Sequence, residues 1–126
     1  MRLRSFLAVH AFVSLGFGIG DGLIPALSAS WVGITLDQVG VYIARSFAAG
    51  FFGIGLVCWF LRDAEECKLQ QDIILSFFVA DAAALIAALL AQLSRLMNSL
   101  GWFLVAVWLF LVLGLGYFRF VKPRSS

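Results

Sequence analysis

Three ionisable side chains, Asp21, Arg45 and Asp81, stand inside long apolar runs of this 126-residue chain. A charge at the centre of a membrane helix costs about 3 kcal/mol on insertion scales, so it faces other helices, finds a partner and marks a candidate path for a substrate, ion or proton. Depth decides which partners meet. At 1.5 Å per residue, Arg45 lies about 9 Å below the outer end of its helix and Asp21 about 5 Å below the same end of its own. The levels match, which predicts an Asp21–Arg45 ion pair. Asp81 falls about 18 Å from the outer end of its helix, near mid-membrane. Three states stay open for it: a neutral carboxyl, a bond to Ser46, Ser14 or His10 on a neighbouring helix, or a place in a small hydrated cavity. A polar cluster that pins the helices in register, a proton- or substrate-coupled site and contact with a partner subunit are the corresponding roles.

Other chemistry-bearing residues are few. His10 is the only histidine; a structural zinc takes four ligands and a catalytic one three, so it reads as a helix-packing or interfacial residue and no metal is expected. Cys58 and Cys67 lack the CxxC spacing of a redox or metal motif and read as ordinary thiols. Leu15–Gly22 is glycine-rich without GxGxxG spacing. P-loop, HExxH and GxSxG motifs are absent from the sequence, so no enzyme is expected and the cofactor is unknown.

These residues must be positioned by four apolar stretches, Ser5–Ile24, Val39–Leu61, Ile73–Leu93 and Leu100–Phe120. Each has about the 20 residues that an α-helix needs to cross a bilayer core of about 30 Å. The composition agrees: 63% hydrophobic, 13% charged and a mean hydropathy of +1.02, against about 25% charged in soluble domains. The expected fold is all-α, a single membrane-spanning four-helix bundle over 1–126, up-down-up-down with short loops. Arg2, Arg4, Arg62, Lys68, Arg119, Lys122 and Arg124 then share one side, and only Arg95 lies in a loop on the other. That bias predicts a multi-pass protein of the cell (inner) membrane with both termini cytoplasmic. The basic tail Arg119–Arg124, beside Tyr117, Phe118 and Phe120, reads as an interfacial anchor and not as a nucleic-acid patch. The first stretch has a basic start and an Ala26-Leu27-Ser28 site like that of a signal peptide, but Asp21 and its glycines favour a permanent span.

Between the stretches, Pro25–Gln38 is expected to be the longest loop, with Pro25 ending the first helix and Thr35 and Gln38 forming a capping box for the second. The charged segment Arg62–Asp72 should extend a neighbouring helix by solvated turns. Asn98 or Ser99 should cap the last helix. Small residues recur at helical steps: Gly16, Gly18, Gly20 and Gly22; Ser46, Ala49, Gly50 and Gly53; Ala80, Ala84 and Ala88. Such positions let backbones approach where lipid offers no hydrophobic drive. Gly16, Gly20, Gly50, Gly53, Ala84 and Ala88 are therefore the expected packing residues, within the chain or between copies.

The run Ile34-Thr35-Leu36-Asp37, then Ala44-Arg45-Ser46-Phe47 and Gly53-Ile54-Gly55-Leu56 ahead of Trp59, resembles small bacterial four-helix membrane proteins, and Asn98–Trp102 fits the same pattern. The resemblance spans nearly the whole chain. It implies topology and an architectural role for Arg45, and no activity. The leading expectation is a non-enzymatic structural or accessory subunit, partnered by the bilayer and by other membrane subunits or copies of itself. A second is a small proton-coupled transporter using Asp21 or Asp81. In size, helix count and an acid in helix 1, the chain resembles the small multidrug-resistance class, whose acid is a membrane-embedded glutamate. A third, from thirteen Phe, four Trp and two Tyr, is a pigment-, quinone- or lipid-binding subunit.

Overall fold

Four breaks interrupt an otherwise helical chain: the Ile24-Pro25 step, residues 32–37 around Gly33, the charged stretch 62–67 and the turn 94–100. The computed structural model describes residues 2–121. Five α-helices follow in order: α1 (Leu3–Leu23), α2 (Pro25–Trp31), α3 (Gln38–Leu61), α4 (Lys68–Leu93) and α5 (Gly101–Gly116), the last continued by a π-helical turn, Tyr117–Val121. Among the described residues there is no strand. Four helical segments are long and apolar enough to cross a membrane: Leu3–Leu23, Gln38–Leu61, Lys68–Leu93 and Gly101–Val121. The all-α, four-span class and the four stretches behind it are thus present, with bounds shifted by a few residues. These spans mark a multi-pass membrane protein. Their exposed positions carry Phe12, Phe47, Phe60, Phe103 and Leu113, as a hydrocarbon solvent allows and water would not.

The chain divides into two compact units, Met1–Asp63 and Ala64–Ser126. In the first, α1 and α3 pack antiparallel. Arg4 meets Asp63 at 2.9 Å at one end, and Arg45 meets Gly22 at the other. Close approach is made by Gly18 and Gly55. A Cβ on Gly18 would stand 2.9 Å from Phe52, and one on Gly55 would stand 2.7 Å from Leu15. The expected packing glycines are different ones. Gly16, Gly50 and Gly53 have nothing within 4 Å of an added Cβ, and Gly20 meets only Ser28 Oγ at 3.7 Å. A GxxxG spacing marks a face that permits close packing, whereas the crossing point chooses which glycine uses it.

The expected first loop contains a helix. Pro25 does end α1, but it opens α2, since a missing N–H costs nothing at the first helical position. Gly33, at φ 84°, closes α2: its N–H bonds the Ser30 carbonyl and that of Ile34 bonds Ala29, the paired bonds of a Schellman turn. The cap of α3 is also not the predicted box. Asp37 occupies the cap position and accepts from the Gly40 N–H at 2.7 Å, which leaves Thr35 exposed.

In the second unit, α4 and α5 form an antiparallel hairpin, with Phe78 of α4 edge-on to Phe120 and against Gly116. The charged segment does lengthen a helix: Lys68 and Asp72 pair across the first turn of α4. Cys67 is its cap, its sulfur accepting from the Gln70 N–H. At the far end of α4 the Schellman geometry recurs, with N–H bonds from Arg95 to Gln92 and from Leu96 to Ala91. Here an arginine at φ 61° holds the left-handed position usually given to glycine. Asn98 Oδ1 accepts from the Leu100 N–H, but neither predicted residue caps α5: its cap position is Leu100, with no side-chain bond, because a turn over residues 99–100 leads into the helix. Ala84 and Ala88 are half-buried on α4. Of the basic tail, Lys122 and Arg124 lie outside the described residues.

Candidate functional site

The polar groups of the first unit gather at two levels. At the Gly22 end, Pro25 breaks α1 and α2 folds over it, so Ser28 lands beside the Asp21 carboxylate and donates to its Oδ1 at 3.0 Å. Arg45, on α3, donates its Nε proton to the Gly22 carbonyl at 3.2 Å. The predicted levels are right, because Arg45 reaches the residue next to Asp21. The predicted ion pair is not formed. A carbonyl in the last turn of a helix has lost its own donor and carries the negative end of the helix dipole, so it is itself a partner for a cation. Arg45 and Ser46 are also exposed, not buried, and Ser46 donates to the Tyr42 carbonyl of its own helix at 3.0 Å.

At the other level, three small polar groups close on one another inside the α1–α3 contact. His10 Nδ1 stands 3.1 Å from Ser14 Oγ and 3.5 Å from Cys58 Sγ. Histidine and thiol are both 0% exposed and Ser14 is 2% exposed. Phe6 lies edge-on to the imidazole and is itself buried. Nδ1 offers one lone pair or one proton, so the hydroxyl and the thiol compete for it. Sequence reasoning treated His10 and Cys58 separately and missed the meeting. Counting residues from the Arg4–Asp63 end along antiparallel helices would have placed both within the first two turns.

In the second unit, Asp81 is 4% exposed, midway along α4. Three glutamines not singled out from sequence, Gln70, Gln71 and Gln92, are also buried. Gln92 ties the hairpin turn by donating to the Asn98 carbonyl at 3.1 Å, and Gln70 donates to Ala64 at 3.3 Å. Long polar side chains near helix ends give no periodic signal, so only packing reveals which are enclosed. Among the described residues no three of His, Cys, Asp and Glu gather as a metal site would require.

No family model matches the chain, and searches of curated proteins and of solved structures return no match either.

Proposed function

We propose that this chain is a non-enzymatic packing subunit of a membrane assembly of the cell membrane, built first from copies of itself, with both termini on the cytoplasmic side. The observation that supports this reading is the outer side of α3. Ser46, Ala49 and Gly53 follow one another at three- and four-residue steps with Gly50 beside them, all exposed, and a Cβ added to either glycine would meet nothing within 4 Å. A glycine inside a helix is about 1 kcal/mol less favourable than alanine. Two of them in one span, unused by the α1–α3 contact, fit a surface kept flat for a second helix. Native mass spectrometry from mild detergent tests this. Oligomers should be present and should fall to monomers in Gly50→Leu and Gly53→Leu, while helicity is retained. A strictly monomeric parent with no co-purifying partner would sink the idea.

A second reading, proton-coupled transport, rests on Asp81, a carboxyl enclosed at the middle of a candidate span. Its test is proton-driven uptake into proteoliposomes: Asp81→Asn should abolish flux that the parent supports, and flux unchanged by the substitution would remove the reading.

A further inference from the structure

A groove of about 600 Å³ runs along the first two turns of α3, lined by Leu36, Asp37, Gln38, Val41, Tyr42 and Arg45. Its level in a bilayer follows from length. Counting 20 residues back from Leu61, about 30 Å of helix, reaches Tyr42. Trp59 and Arg62 mark the opposite interface, with the guanidinium 3.7 Å above the indole ring. The groove therefore lies where phospholipid headgroups begin, and Tyr42, 72% exposed, has the place of an interfacial anchor.

The charges in the groove are ordered. Arg45 starts about one turn below Tyr42, and a long helical side chain leans toward the N-terminus, which brings its cation up to the boundary. Its Nε is held by the Gly22 carbonyl. Its terminal nitrogens bond no described residue and stay available for an anion, to which a guanidinium binds in a fork. Asp37 lies about 12 Å further along the helix axis, less about one turn for the lean of Arg45. One of its oxygens accepts from Gly40, and the other is unbonded among the described residues. A cation below and a carboxylate above, separated by about 7 Å, match a ligand with a phosphate at the depth of the boundary and an ammonium above it.

We infer that this groove holds the headgroup of an aminophospholipid, phosphatidylethanolamine by chemistry, with its phosphate on the terminal nitrogens of Arg45 and the Tyr42 hydroxyl and its primary ammonium on Asp37. A lipid with a quaternary ammonium cannot donate to the carboxylate. One with a glycerol headgroup brings no cation to it. Tyr42 lies one turn above Ser46 on the small-residue stripe of α3, and every residue of the site comes from one chain.

Native mass spectrometry of the delipidated full chain with added phosphatidylethanolamine, phosphatidylcholine or phosphatidylglycerol reads the preference. The first should be retained at least several-fold more than the other two. Arg45→Gln should abolish that retention. Asp37→Asn is the informative variant, because asparagine caps a helix as well as aspartate does and the fold is kept. It should lower phosphatidylethanolamine to the level of phosphatidylcholine with helicity unchanged. Equal retention of the three lipids, preference for phosphatidylglycerol, or an ethanolamine preference that survives Asp37→Asn would each overturn the assignment.

Discussion

Cys58 Sγ and His10 Nδ1 stand 3.5 Å apart with 48 residues between them in the chain, and neither side chain is reached by solvent. The pair, with Ser14, is the buried polar contact of α1 with α3, as Arg45–Gly22 is the exposed one. Its burial separates the two thiols, since Cys67 is exposed at the head of α4. Reactivity of a thiol follows its access as well as its ionisation. A maleimide applied in mild detergent should modify one thiol in the folded protein and two after denaturation in SDS, as counted by intact mass. Rapid labelling of both in the native state would mean that the α1–α3 contact opens. Cys58→Ala, which deletes a fully buried sulfur and leaves Nδ1 to Ser14, should cost about 1–3 kcal/mol in unfolding experiments through the space left behind.

The glycines of α3 should divide by face. Gly55→Ala drives a Cβ to 2.7 Å from Leu15, with the Ala11 carbonyl 3.2 Å away, and should destabilise the first unit by about 1–3 kcal/mol through overpacking. Gly50→Ala meets open space and should leave stability unchanged or raise it by up to about 1 kcal/mol. Thermal unfolding followed by circular dichroism in one detergent compares them directly, and equal losses would contradict the assignment of faces.

At the end of α1, the hydrogen bond and not the charge of Asp21 should matter. Asp21→Asn keeps an oxygen for the Ser28 hydroxyl and should change stability by less than about 0.5 kcal/mol. Asp21→Ala loses that bond and should cost about 1 kcal/mol. If asparagine proves as damaging as alanine, the carboxylate is needed as an ion-pair partner, and the arrangement with Arg45 would have to be redrawn.

Arg95 holds a left-handed backbone at φ 61°, a conformation that costs a residue with a Cβ about 1–2 kcal/mol and glycine little. Arg95→Gly should therefore raise stability by about 1 kcal/mol. The same measurement checks it, and a loss would show that the arginine side chain contributes more than its backbone strain.

Much of this architecture was legible because the signals behind it are local. The four spans follow from apolar length, the end of α1 from Pro25, and the extra first turn of α4 from its charges. The level shared by Asp21 and Arg45 also follows, since rise per residue is constant along a helix. What escaped was choice among partners. Asp37 displaced the Thr35 box because the chain enters α3 two residues later than the box requires. Ser28 reached Asp21 only because Pro25–Trp31 is helical and folds back, and no spacing in the sequence announces that.

Four spans long and apolar enough to cross a membrane, and the few polar groups they must accommodate, can be read from the chain alone, because hydrophobicity and helix rise are properties of each segment. The tertiary structure decided that Gly18 and Gly55, and not Gly50 and Gly53, bring α1 and α3 together. It also decided that Arg45 caps α1 and that His10 meets Cys58. The physical reason is the rotation of one helix about its axis against its neighbour. That angle is set by how whole surfaces interlock, and it leaves no mark in any one of the sequences that meet.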